Sequence, residues 1–105
     1  MPTSDKRVIW TPRAKQDLLQ IWRYFADVAT PETADNLLHE INSGGMRLTD
    51  KPLLGRTREE VAPGLRSILV HPYVVFYRLN NARIEIVRVL HERRNFPAIL
   101  TKTGR

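Results

Sequence analysis

The sequence contains no cysteine, which removes disulfides, thiol nucleophiles and cysteine-ligated metals and suits a cytoplasmic protein. It has no apolar run near the roughly 20 residues that a membrane-spanning helix needs, so no membrane partner is expected. The opening residues, MPTSDKRVIW, carry charge with no apolar stretch behind it, unlike a secretory signal. Glycine is scarce, and the adjacent pair Gly44-Gly45 lacks the Lys-Ser/Thr that completes a phosphate-binding loop. There is no Gly-x-Ser-x-Gly nucleophile elbow. His39, His71 and His91 stand far apart, and none has a second ligand one helical turn away, so neither a metal site nor any cofactor is expected. A chain of 105 residues is expected to form one domain, 1–105, around a modest core.

What is abundant is arginine, and only in one half. Residues 1–55 carry seven basic and seven acidic side chains; residues 56–105 carry ten basic against four acidic, and nine of those ten are arginine. The whole surplus of +6 therefore lies in the C-terminal half. A well-solvated basic surface would account for it, and so would an anionic partner met by planar guanidinium groups.

The spacing predicts a strand at 6–10 (KRVIW), then two helices that each open on Thr-Pro, a capping residue followed by the proline of a first turn. Ala14, Leu18, Ile21, Trp22, Phe25 and Ala29 mark helix one at about 12–29. Ala34, Leu37, Leu38, Ile41, Gly45 and Leu48 mark helix two at about 31–49, antiparallel to the first because almost no loop separates them. Gly44 and Gly45 each cost about 1 kcal/mol inside a helix, so the helix either loosens there or lies close against another backbone. Residues 51–64, with two prolines and two glycines, read as a surface loop. Strands are expected at 65–70, 73–79 and 83–90, followed by a short tail with at most one helical turn before Pro97. The expected fold class is α+β: an N-terminal strand, an antiparallel helix hairpin and a three-strand antiparallel meander in two layers. Trp10, Trp22, Phe25, Leu38, Phe76 and Ile86 read as core.

Both faces of that sheet carry apolar side chains. Tyr73, Val75, Tyr77 and Leu79 share one face, Val74 and Phe76 the other. Simple alternation puts Ile84, Ile86 and Leu90 on one side of the last strand and Val87 and Val89 on the opposite side. Two helices cover one face, so something else must cover the second. A partner chain is the economical cover. The loop at 51–64, or a tail that brings Phe96, Ile99 and Leu100 back over the sheet, is the other.

The dense polar cluster is Arg88, His91, Glu92, Arg93, Arg94 and Asn95, at the end of the last strand, where sites commonly sit. It holds the inventory for RNA cleavage: His91 and Glu92 as proton carriers, an arginine for phosphate charge. It equally suits a basic rim that binds an acidic segment.

Trp10-Thr11-Pro12-Arg13-Ala14, then Asp17-Leu18 and Ile21-Trp22-Arg23-Tyr24, resembles the opening of ParE toxins. Gly64-Leu65-Arg66-Ser67, Tyr73-Val74-Val75-Phe76-Tyr77-Arg78 and the run Ile86 to Asn95 resemble their C-terminal half, so the likeness extends over residues 7–97. The resemblance implies the RelE/ParE toxin–antitoxin superfamily, whose RelE-like members are ribosome-dependent mRNA endoribonucleases and whose ParE-like members poison DNA gyrase without being enzymes. RelE-like nucleases carry an arginine after the tyrosine that opens the middle strand; here Val74 stands there, with Arg78 and Arg66 as the nearest substitutes in sequence. The ParE side is therefore favoured: a cytoplasmic toxin with no catalytic residues, DNA gyrase as target, growth arrest as outcome, and a tightly bound ParD-like antitoxin completing a hetero-oligomer. The alternatives are a RelE-type nuclease and a non-toxic antitoxin-binding module. The expected target contacts are Arg88, His91, Glu92, Arg93, Arg94 and Phe96. The expected antitoxin contacts are Arg66, Val74, Phe76, Arg78, Val87 and Val89, because the family's antitoxins lay apolar and acidic groups on the sheet and its basic rim.

Overall fold

A computed structural model describes residues 7–103, with side chains as far as Leu100; Lys6, placed in the first strand by the sequence, lies outside the described residues. The elements run β1 (Arg7–Trp10), α1 (Pro12–Val28), α2 (Pro31–Met46), β2 (Arg56–Thr57), β3 (Leu65–Val70), β4 (Tyr73–Leu79), β5 (Arg83–His91) and α3 (Phe96–Thr103). The α+β class is as expected.

Both helix starts work as the Thr-Pro pairs imply. The Thr11 hydroxyl accepts from the Ala14 N–H at 3.2 Å, and the Thr30 hydroxyl accepts from the Thr33 N–H at 3.0 Å. Helix two keeps α geometry only to Met46, and a 3-10 turn, Arg47–Thr49, finishes the segment. Gly44 and Gly45 mark close approach rather than loosening. A Cβ on Gly45 would sit 2.9 Å from the Trp10 ring and 3.1 Å from Ile86, and one on Gly44 would sit 2.7 Å from Val70. The missing side chains let α2 settle onto the sheet.

The sheet has five strands in the order β1-β5-β4-β3-β2. The meander β3-β4-β5 is antiparallel as expected, β1 adds in parallel to β5, and the two-residue β2 joins β3. That short strand lies inside the expected loop. The loop is held at its start by Tyr77, whose hydroxyl donates to the Pro52 carbonyl and accepts from the Gly55 N–H, both at 2.8 Å.

A bulge changes the facing of β5. Phe76 pairs with Arg88 and Tyr77 with Ile86, which leaves Val87 as the extra residue. Past this point the alternation is inverted. Val89 joins Ile84 and Ile86 in the helix-covered core with Tyr73, Val75 and Tyr77, while Leu90 joins Val87 on the other side. The sequence alternation had paired these residues the other way round.

The second face is covered by the chain itself. Val61 and Ala62 from the loop, and Phe96, Ile99 and Leu100 from α3, pack with Leu65, Val74, Phe76, Val87 and Leu90. Of the two covers read from the sequence, the favoured partner chain is corrected, and the loop with the tail residues Phe96, Ile99 and Leu100 is the one found. Pro97 falls in the first turn of α3, where its missing N–H is no loss, instead of stopping a helix before it. The Asn95 side chain accepts from the Ala98 N–H at 3.2 Å and caps that turn. Of the residues read as core, Phe76 and Ile86 are buried, Trp10, Phe25 and Leu38 are half-buried against the core, and Trp22 is half-buried outside it, its indole N–H donating to Asp35 at 2.8 Å and clasping α1 to α2.

Candidate functional site

The site is built on the far end of β5, where β1 has ended and the first turns of α1 take its place beside the strand. Thr11 N–H donates to the Ile86 carbonyl at 3.1 Å, which swings α1 across the strand edge. This brings Asp17 over β5. Its carboxylate accepts from Arg88 Nε at 2.8 Å, from Arg88 Nη2 at 3.1 Å and from the Val89 N–H at 2.9 Å. Both partners are buried, Asp17 at 6% and Arg88 at 5% exposure. The third guanidinium nitrogen, Arg88 Nη1, is buried without a hydrogen-bond partner.

A pocket of about 220 Å³ opens at this junction, lined by Arg13, Asp17, Gln20 and Tyr24 from α1, and by Tyr73, Arg88, His91 and Arg94 among others from the sheet side. His91 Nδ1 accepts from the Arg93 N–H at 3.1 Å, which leaves Nε2 as the ring's N–H donor. Burial raises the Tyr73 hydroxyl above its ordinary pKa, with Tyr24 adding to the shift.

On the opposite side of the sheet is a second pocket of about 270 Å³, lined by Arg56, Arg58, Ser67, Leu69, Val74, Glu92 and Phe96. Arg58 is buried there. Its Nε donates to Ser67 Oγ at 2.8 Å, its Nη1 meets Glu60 at 3.2 Å, and its guanidinium lies 5.5 Å from the Phe76 ring centre and 5.3 Å from that of Phe96. That cation packs against both rings and ties α3 to the sheet.

The cluster expected to act together is therefore split between two faces. Arg88, His91 and Arg94 line the α1 pocket, while Glu92 and Phe96 line the α3 pocket. Glu92 approaches His71 instead, at 3.3 Å. The proton-carrier pair His91 and Glu92 is not brought to one point. Arg93 and Arg94 are exposed, Arg88 serves the buried pair, and Phe96 is half-buried against Phe76 at 4.9 Å between ring centres.

The expected antitoxin contacts are also redistributed. Val74 and Phe76 are buried under α3 and the loop, and Val89 lies beneath the helices because of the bulge; none of the three presents a free surface. Val87 is half-buried in the second cluster. Arg66 donates to the Gly55 carbonyl at 2.7 Å and so braces the loop, and Arg78 stands across from Glu85 in the β4–β5 ladder. Neither replaces an arginine at position 74.

The sequence reading missed Asp17, Arg13, Tyr24 and Arg58. Asp17 had a legible signal: it falls three residues after Ala14 and four before Ile21, on the buried stripe of α1, where a charge demands a partner.

With this geometry in place, comparison with known proteins is direct. Residues 8–96 match the family described as "ParE toxin of type II toxin-antitoxin system, parDE". The chain belongs to the ParE toxin family. Its ParE relatives include Toxin ParE3 of Caulobacter vibrioides, 38% identical over 91% of this chain and 96% of that protein. Toxin ParE1 of the same organism is 35% identical over 84% of this chain and 91% of that one. Among solved structures, one titled "Chromosomal ParDE TA system from P. aeruginosa" matches with a TM-score of 0.75 at 24% identity, covering 85% of this chain and 98% of its own. At that identity the match shows a shared fold. Among the described residues of this ParE-family chain, no helix is long and apolar enough to cross a membrane.

Proposed function

We propose that this chain arrests growth by binding DNA gyrase, without catalysing a reaction itself, and that it is silenced by a tightly bound ParD-like antitoxin. The observation that carries the choice is the fate of the nuclease parts. Position 74 is a buried valine facing Leu90 across the ladder, and His91 and Glu92 line pockets on opposite sides of the sheet. A phosphoryl-transfer site needs cation and proton carriers within hydrogen-bond reach of one phosphate. Here they are separated by the sheet.

Target contact is assigned to the exposed end of β5 and the turn after it, His91, Arg93 and Arg94 above all. The family membership supports a toxin acting with an antitoxin, and the ParE side of the family supports gyrase as the target. Purified chain added to a supercoiling assay should stall gyrase; no effect at micromolar concentration would sink the gyrase assignment. Cuts in ribosome-bound mRNA that disappear in His91→Ala would replace it with the nuclease.

A further inference from the structure

The α1 pocket gathers cations that the packing of the chain does not use. Arg13, Arg88 and Arg94 line it together with His91, and the one acidic residue in its lining, Asp17, already accepts three hydrogen bonds from Arg88 and the Val89 N–H. Among the described residues neither Arg13 nor Arg94 pairs with a carboxylate; Arg13 reaches only Gln16, at 3.3 Å. Arg88 is buried, and its Nη1 has no hydrogen-bond partner, although a buried donor of this kind ordinarily has one. The first turn of α1 brings the positive end of a 17-residue helix to the same place and contains no acidic side chain.

Size and surroundings select the ligand. At about 220 Å³ the pocket falls below the roughly 300–1,000 Å³ of small-molecule sites, so it suits one charged group of a larger molecule. The surface around it is polar and short of acid. Arg13, Gln20 and Tyr24 follow one another on the pocket side of α1, Gln16 and Arg23 flank them, and the first carboxylate after Asp17 is Asp27, one turn beyond Arg23. Arg93 stands exposed beside Arg94 on the sheet side. Guanidinium and amide donors repeated along a surface match phosphates repeated along a nucleic-acid strand. Tyr24 is 59% exposed at the rim, its ring meeting Phe25 edge-on at 5.0 Å, which leaves a ring face for an unstacked base.

We infer that the pocket holds a backbone phosphate of a DNA strand between Arg13 and Arg94, with a neighbouring unpaired base laid on Tyr24. This rests on the proposed function in taking the nucleic acid to be DNA, the polymer on which gyrase works. Arg94 and His91 lie in both the pocket and the surface assigned to the target. The chain therefore grips the DNA that its target carries as well as the target protein, and its hold is strongest where that DNA has unpaired bases.

The test measures binding of the full chain to a fluorescent gapped DNA duplex between about 50 and 200 mM salt, beside a gyrase supercoiling assay on the same preparations. The variants are Arg13→Gln with Arg94→Gln, Tyr24→Ala, and Arg83→Gln, which removes the same charge at the opposite end of β5. All four side chains are exposed, so an unchanged melting temperature verifies each fold. The double variant should reduce the slope of log affinity against log salt by about 2. Tyr24→Ala should weaken binding about tenfold at unchanged slope, and Arg83→Gln should change neither. Native slope and affinity in the double variant, or no binding by the native chain at the lowest salt, overturn the inference; gyrase stalled in the parallel assay leaves the proposed function standing. An equal loss in Arg83→Gln makes the binding a diffuse effect of charge and overturns the pocket assignment. Tighter binding of RNA of the same sequence, dependent on Arg13 and Arg94, overturns the choice of DNA. Bound DNA with gyrase unaffected overturns the proposed function and, with it, the role given to the grip.

Discussion

Arg88 grips Asp17 through two nitrogens, Nε at 2.8 Å and Nη2 at 3.1 Å, across 71 residues of sequence. The pair fastens α1 to the free edge of β5 where β1 no longer reaches, and the Val89 N–H that a next strand would have taken is given to the same carboxylate. Removing one partner strands a charge that cannot reach water. Asp17→Ala should therefore cost about 3–5 kcal/mol, read as a lower denaturant midpoint at unchanged m-value. The double variant Asp17→Leu, Arg88→Met should recover much of that loss, because it removes both charges together.

Tyr77 predicts an alkaline weakness. Its hydroxyl is hydrogen-bonded to Pro52 and Gly55, and burial holds its pKa above the ordinary value of 10.0. The folded state then keeps the phenol proton more tightly than the unfolded state does. Stability from this group is complete below about pH 10 and falls as pH rises through the higher folded value. Tyr73, raised in the same way by burial, adds to the fall. Tyr77→Phe should lower stability by about 1–3 kcal/mol at neutral pH, speed amide exchange at Gly55, and flatten the alkaline part of the stability curve.

Glycine to alanine usually stabilises a helix by about 1 kcal/mol. At Gly45 the sign should reverse. The new methyl would meet the rigid Trp10 ring at 2.9 Å and Ile86 at 3.1 Å, and overpacking of this kind costs about 1–3 kcal/mol. A Gly45→Ala variant more stable than the native chain in urea would contradict the close seating of α2.

Arg58→Leu should loosen α3 more than it weakens the whole fold, since it withdraws the cation lying against Phe76 and Phe96. Hydrogen exchange should quicken in residues 96–103 and hardly change in α1. Arg58→Lys should not restore protection, because a single ammonium cannot hold both Ser67 and Glu60 and still lie against both rings, as the branched guanidinium does.

Charge reversal at the exposed turn, Arg93→Glu with Arg94→Glu, should abolish growth arrest while leaving the melting temperature near native. Retained toxicity would remove the target assignment from this turn.

Much of the frame was legible from the Thr-Pro starts and the helical stripes, because each is a local signal. The site was harder. Inserting Val87 as a bulge reverses which face Val89 and Leu90 take, and a run of valine and leucine around one arginine carries no mark of the slip. The loop and tail that cover the second face were named as candidates from their apolar residues, but Val61 and α3 are pieces too short and too irregular for periodicity to choose them over a partner chain. Arg58 looked like one more charge in a loop; only the fold shows it against two rings that lie 20 residues apart in sequence.

The parallel seating of β1 against β5 also has a consequence for synthesis. β1 has no other neighbour in the sheet, and its partners are residues 83–86. While the chain is being made, the first strand waits for almost the last, as Asp17 waits for Arg88. Long-range closure of this kind is slow, so the surface proposed to meet the target forms only once β5 has been made, and a nascent chain halted short of β5 carries none of it.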